Sequence, residues 1–379
     1  MPFAAALSEH PLPTHATGEV VGQVLEQLGP GPDLAVVFVT APLAGALEDI
    51  AATIRRTLRP TTLVGATAVS VLGGDREVEE QAAISLFAAR IGPVTPVRIR
   101  ADRLDDGWRL QSTLSGPLGA RTLLLLADPF TFPTDGFLAE LAVEEPQLRV
   151  VGGMASAARG PGGNRLVLDE AVVGDGAVGV LFDAGTAAST VVSQGCRPVG
   201  QPLVVTRAER NVIYEIAGRP ALDRLNELAN ELSPDDRSLL TRGVHVGRVM
   251  DEGRTEFGTG DFLVRQVMGA DREAGALAVG DEIEVGTTIQ FHVRDADSAD
   301  EDLRTMLADA SGRAALVFTC NGRGTHLFDE PHHDASVVNA WLGGGATAGM
   351  FCAGELGPVG GSNFVHGFTA SVLLFDETS

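Results

Sequence analysis

The sequence predicts an α/β protein: mixed, helix-covered sheets built from repeated strand-helix-strand-turn-strand units and divided into two lobes. Three observations carry this reading. Short β-branched runs alternate with stretches at helical spacing, the second run of each unit leads into glycines, and a small-residue stretch near Gly185 to Gly195 interrupts the pattern.

The first unit opens with the run Asp33 to Thr40, and Leu43, Leu47, Ile50, Ile54 and Leu58 then mark one face of a helix. Thr62 to Val64 forms its second strand, Gly65-Ala66-Thr67-Ala68 its turn, and Ala82 to Ala89 its third strand. The second unit runs from Arg121 to Ala127 through a helical Thr134 to Leu141, then Leu148 to Val151, a Gly152-Gly153 turn and Gly176 to Phe182. The third runs from Ala314 to Thr319 through Asp334 to Leu342, then Ala348 to Phe351, a turn at Gly354 to Gly357 and Phe368 to Phe375. Strand, helix and strand in that order predict a right-handed parallel crossover, with the strand after the turn returning antiparallel. Gly195 to Asp309, between the second and third units, has its own strands and a helix carrying Leu222, Leu225, Leu228 and Leu232. The expected lobes are 1–192 and 193–379, with the third unit closing the second lobe.

Composition narrows the function. The 379 residues are 44% hydrophobic and 21% charged, which argues against disorder and for a buried core. A formal net charge of -22 repels phosphate backbones and anionic lipid surfaces, so neither nucleic acid nor a membrane is an expected partner. No lysine occurs and all 28 basic residues are arginine, which excludes Schiff-base, pyridoxal-phosphate, P-loop and kinase chemistry. Cys196, Cys320 and Cys352 are too few and too scattered for a disulfide framework, and the first residues lack a signal-peptide pattern. A reduced, cytoplasmic protein is expected.

In sheets fed by crossovers, ligands collect at the carboxyl ends of the strands, where glycines let backbone N–H groups approach. The candidate ligand-binding residues are therefore Gly65, Thr67, Gly152, Gly153, Asn321, Gly322, Arg323, Gly324, Gly354, Glu355 and Asn363. The same glycines also suit tight turns with positive φ, and the ligand reading rests on their clustering. Arg323 could clamp a carboxylate with two parallel hydrogen bonds, or could pin its turn by pairing with an acid such as Glu355. A thiol nucleophile at Cys320, with His326 or His366 as base, is the enzymatic version of this segment, but no helix opens behind Cys320. No Cys-x-x-Cys or His-Glu-x-x-His spacing supports a metal, so buried thiols are favoured over a structural zinc. Glu79-Glu80, Asp105-Asp106, Glu144-Glu145 and Asp235-Asp236 read as solvated surface.

Several of these motifs resemble one family. Gly195-Cys196-Arg197-Pro198-Val199-Gly200, Asn211-Val212-Ile213-Tyr214-Glu215 and Gly218-Arg219-Pro220-Ala221-Leu222 are similar to the opening of the FIST C-terminal half. Cys320-Asn321-Gly322-Arg323-Gly324, Gly349 to Pro358 and Asn363 to Thr369 resemble its end. Val64-Gly65-Ala66-Thr67 and Val151-Gly152-Gly153-Met154-Ala155 resemble the FIST N-terminal signature, though Ala66 and Val69 to Val71 depart from it.

The resemblance implies a bacterial, non-enzymatic sensory domain of intracellular signal transduction. It would bind a small ligand such as an amino acid or related carboxylate metabolite and pass its output to a separate signalling chain, since no kinase, cyclase or F-box segment is present. No cofactor is expected. The alternative it implies is a haem-binding nitric-oxide sensor, for which His245, His292, His326 and His366 are candidates. Homo-oligomerisation is left open.

Overall fold

The structure is a computed structural model that describes residues 2–105, 107–254 and 256–377. Asp106, one of the paired acids read as surface, lies outside the described residues. The chain forms two compact units. Unit 1 holds 1–193, 303–365 and 369–379; unit 2 holds 194–302 and 366–368.

Unit 1 begins with β1 (Phe3–Ser8) and α1 (Pro13–Leu28), which precede the first repeat. That repeat comprises β2 (Leu34–Thr40), α2 (Leu47–Leu58), β3 (Thr62–Ala68), the hairpin β4 (Val71–Gly73) and β5 (Arg76–Val78), and β6 (Ile84–Ala89). An outer pair, β7 (Val94–Leu104) and β8 (Gly107–Ser112), leads to the second repeat. It comprises β9 (Thr122–Ala127), α3 (Thr134–Glu144), β10 (Arg149–Met154), the hairpin β11 (Leu166–Leu168) and β12 (Ala171–Val173), and β13 (Ala177–Phe182), followed by β14 (Ala188–Ser193).

Unit 2 has one seven-stranded sheet made of β15 (Cys196–Glu209), β16 (Val212–Ile216), β17 (Arg219–Pro220), β18 (Val244–Val249), β19 (Phe262–Asp271), β20 (Ala276–Val279) and β21 (Thr288–Arg294). Its helices α4 (Ala221–Glu231) and α5 (Pro234–Arg242) contribute Leu228 and Leu240 to a core with Val205, Ile213, Leu277 and Phe291. The chain then follows α6 (Ala296–Ala308) into the third repeat: β22 (Ala314–Cys320), α7 (His333–Trp341), β23 (Ala346–Cys352), the hairpin β24 (Glu355–Val359) and β25 (Ser362–His366), and β26 (Ala370–Phe375).

In all three repeats the first two strands are parallel and the last returns antiparallel to the first, as the crossover rule requires. The hairpins depart from expectation. Each repeat lends its hairpin to another repeat's sheet: β4 pairs with β23, β11 with β3, and β24 with β10. The exchange runs once around the three repeats and closes on itself. It also explains why the third repeat belongs to unit 1: its β23 pairs with a strand of the first repeat and its β24 with one of the second. Phe38, Phe87, Phe318 and Phe375 from the first and third repeats share one buried cluster with Leu124, Val151 and Phe182 from the second.

Gly65 and Gly152-Gly153 were expected in turns after the middle strands; they lie inside β3 and β10. Gly65, Gly152 and Gly349 occupy one equivalent position in β3, β10 and β23, beside Val37, Leu125 and Val317 of the parallel neighbour. A Cβ at any of the three would collide with that neighbour's carbonyl oxygen. The glycine is there because two backbones approach too closely for a side chain.

Candidate functional site

The carboxyl ends of β2, β9 and β22 are the equivalent places where a ligand could lodge, and their polar groups differ in how far they are satisfied. At the end of β2, Thr40 donates its hydroxyl to Ala83 O and accepts from Ala83 N (2.8 Å), closing the position. After β9, the buried Asp128 accepts from Thr131 Oγ1 (2.7 Å) and Asn164 Nδ2 (2.9 Å), and Asn164 Oδ1 accepts from Ala158 N (2.9 Å). The third end differs. Asn321 Oδ1 and Glu355 Oε1 are buried atoms without a hydrogen-bond partner.

This end is a turn following β22. Cys320 N donates to Thr369 O, Asn321 N to Cys352 O, and Gly322 N to Cys320 Sγ at 3.4 Å. Arg323 is 0% exposed. Its Nε and Nη2 donate to Asp334 Oδ2 and Oδ1, both at 2.7 Å, and its guanidinium stacks 5.2 Å from the Phe328 ring centroid. Burial disfavours the guanidinium charge, but the Asp334 carboxylate outweighs it and raises the Arg323 pKa. Burial likewise pushes Asp334 up, and Arg323 more than reverses this, holding the carboxyl well below the usual range. Thr319 Oγ1 and His333 Nδ1 also reach Asp334.

Glu355, at the start of β24, is fully buried. Its Oε2 accepts from Thr369 N (3.2 Å) and Thr369 Oγ1 (2.8 Å), and the Cys320 thiol faces the same carboxyl. Burial raises its pKa to about 8, against the Thr369 hydrogen bonds, which favour the charged form. Burial also raises the Cys352 thiol, and the charges of Glu355 and Cys320 add to the effect.

The exchanged hairpin β4–β5 supplies two further acids. Glu77 Oε1 accepts from Ala335 N (3.0 Å) in the first turn of α7, and Glu79 accepts from Thr325 N (3.0 Å) and Thr325 Oγ1 (2.7 Å). Burial, then the nearby Asp334 charge, raises Glu77 to about 8.

The candidates from the sequence therefore fall into two groups. Asn321, Gly322, Arg323, Gly324, Gly354 and Glu355 come together around the end of β22, and Gly153 adjoins them because a Cβ there would collide with Cys352 Sγ. Gly324 has φ +55, and a Cβ would lie 2.8 Å from Glu79 Oε1. Gly65, Thr67, Gly152 and Asn363 serve the sheets instead. Thr67 Oγ1 accepts from Arg165 N (2.9 Å), and Asn363 bridges Val150 N (2.8 Å) and Leu148 O (2.7 Å). Arg323 pairs with Asp334 through both Nε and Nη2, and its charge also acts on Glu355. The signal available for Asp334 was its position at the start of a helix a short turn after Arg323. Glu77 and Thr369 carried no signal, and Glu79, expected as solvated surface, is half-buried against Thr325, because only the hairpin exchange and the β25–β26 turn bring these residues here.

Comparison with known proteins gives the site its context. The FIST N domain model matches residues 33–219 and the FIST C domain model residues 221–358. The chain belongs to the FIST family. FIST domains are sensory domains of signal transduction. Among similar FIST proteins, uncharacterized protein MT0656 of Mycobacterium tuberculosis (strain CDC 1551 / Oshkosh) is 39% identical over 388 residues, covering 99% of this chain and 100% of that protein. Uncharacterized protein Mb0898c of Mycobacterium bovis (strain ATCC BAA-935 / AF2122/97) is 40% identical over 373 residues, 95% of each chain. Among the described residues, no helix of this FIST chain is long and apolar enough to cross a membrane.

Proposed function

We propose that this FIST chain is a cytoplasmic, non-enzymatic sensor that binds an amino acid or related carboxylate metabolite at the end of β22 and signals through a separate partner chain. One observation carries the reading. Of three equivalent strand ends, two have their polar groups satisfied internally, and the third leaves Asn321 Oδ1 and Glu355 Oε1 buried without a partner. Buried polar atoms left unpaired cost roughly 1–3 kcal/mol each, a cost that a ligand bearing matching groups would remove. Asn321 Oδ1 accepts from a ligand N–H. Glu355, with a pKa of about 8, is mostly protonated at neutral pH and donates to a carboxylate oxygen. Arg323 takes no direct part, because its fork is occupied by Asp334, and it holds the turn that presents Asn321.

The test is thermal unfolding with a panel of amino acids and small carboxylates, alongside native mass spectrometry of the freshly purified chain. A rise in Tm with one member of the panel, lost in both Asn321→Ala and Glu355→Gln, is the expected result. A wild-type chain that shows no Tm shift with any member of the panel and retains no small molecule would overturn the reading.

The haem alternative draws on unit 2. His245 and His292 are register partners on β18 and β21, and three of their ring nitrogens lack hydrogen-bond partners. Both rings are sealed, His245 by Phe368 (centroids 4.5 Å apart) and His292 by Phe262 (4.9 Å), so as they stand they offer no open slot for a macrocycle. A Soret band after haem addition to the purified chain would reopen this reading.

A further inference from the structure

Cys320 and Cys352 end two neighbouring parallel strands and are register partners there. Neighbouring strands lie about 4.8 Å apart, and register partners point to the same face, so the two Cα atoms fall inside the roughly 4.4–6.8 Å range that a disulfide spans. Cys320 is partly exposed and Cys352 is 0% exposed, and neither is in a disulfide. The Glu355 carboxyl faces the Cys320 thiol and interacts electrostatically with that of Cys352, while Gly322 N–H is directed at Cys320 Sγ. Gly153 completes the arrangement, since only a residue without a Cβ leaves room for Cys352 Sγ. One partly exposed thiol, one buried thiol and one carboxyl able to exchange a proton with the partly exposed thiol are thus held together by backbone register.

The geometry points to Cys320 and Cys352 as a peroxide-reactive thiol pair, with Cys320 the sulfur that meets the oxidant and Cys352 the sulfur that resolves it. Glu355, as carboxylate, takes the Cys320 thiol proton, and Sγ attacks one oxygen of a hydroperoxide. The O–O bond breaks, and the departing oxygen leaves as water or an alcohol with that proton. Cys320 is then a sulfenic acid. The Cys352 sulfur attacks it, the S–O bond breaks, and hydroxide leaves as water with the Cys352 proton. Two electrons drawn from the two sulfurs have reduced the peroxide bond, and a cross-strand disulfide remains. The groups facing Glu355 through these steps are Thr369, Cys320, Cys352 and Arg323. The inference needs no metabolite, so it stands or falls separately from the sensory ligand.

The experiment treats the reduced full-length chain with one equivalent of hydrogen peroxide and follows intact mass and cysteine-containing peptides. The expected product has lost two hydrogens, about 2 Da, and yields a linked Cys320–Cys352 peptide. Its rate rises as pH passes about 8, where Glu355 ionises, and Glu355→Gln flattens that profile. Cys352→Ala stops at a sulfenic acid on Cys320 that dimedone traps, and Cys320→Ser yields no linked peptide. A wild-type chain that shows no linked peptide, or a two-hydrogen loss that persists in Cys320→Ser, overturns the assignment.

Discussion

Asp334 receives both Nε and Nη2 of Arg323 at 2.7 Å, with the two side chains 1% and 0% exposed. An ion pair buried this completely is held by its geometry, and removing one partner strands the other charge. Arg323→Ala should destabilise the chain by about 3–5 kcal/mol in denaturant unfolding, and Asp334→Ala by a similar amount. Arg323→Lys should rescue little, because an ammonium cannot reproduce the two parallel bonds. A folded, fully stable Arg323→Ala protein would show that the pair does not hold the turn.

The three equivalent glycines give a second expectation. Gly65→Ala, Gly152→Ala and Gly349→Ala should each cost about 1–3 kcal/mol or more, since each Cβ would strike a backbone oxygen that cannot swing away. Gly22→Ala in α1, which meets nothing within 4 Å, should stabilise by up to about 1 kcal/mol. Thermal melts of the four variants decide it.

Buried acids and buried histidines bend the pH dependence in opposite directions. Glu77 and Glu355 titrate at about 8 when folded and near the ordinary glutamate value of 4.5 when unfolded. Their contribution is full below pH 4.5 and is lost as pH rises to about 8, with a slope of up to roughly 1.4 kcal/mol per pH unit for each group. Glu77→Gln and Glu355→Gln should flatten this limb of unit 1. In unit 2, His245 and His292 are lowered from 6.5 to about 4, by burial above all, so their contribution is present above pH 6.5 and is lost as pH falls towards 4. Hydrogen exchange against pH, read separately over the two units, would show opposite slopes; parallel slopes would contradict the assignment.

Asn363 offers a local readout of the hairpin exchange. Asn363→Ala leaves Val150 N and Leu148 O without their side-chain partner, and should cost about 2 kcal/mol. The Val150 amide should lose hydrogen-exchange protection well before the amides of β22. Equal protection in mutant and wild type would mean that Asn363 is dispensable at this junction.

The repeats were legible because hydrophobic runs and helical spacing report local structure, and all three parallel pairs lie where those patterns put them. Hairpin partners were not, since β4 carries no mark naming β23 as its neighbour. The glycines misled for a related reason. Gly65 and Gly152 share one repeat position with Gly349, and aligning the three units would have shown a packing requirement of the sheets. At the site, Asn321, Gly322 and Glu355 were found by polar density next to strand ends, whereas Arg323's role depended on Asp334, an acid whose burial no local pattern reveals.

The closed exchange of hairpins also bears on how the chain is made. Residues emerge from the ribosome in order, yet Gly73 must wait for Ala348, and Gly65 for Val167, before their edges are covered. Long-range pairing of this kind slows folding and leaves strands unprotected in the meantime. The first repeat thus cannot finish folding during synthesis of the second. A nascent chain halted before Ala346 carries an open sheet edge and a hairpin with no sheet to join, a natural substrate for chaperones.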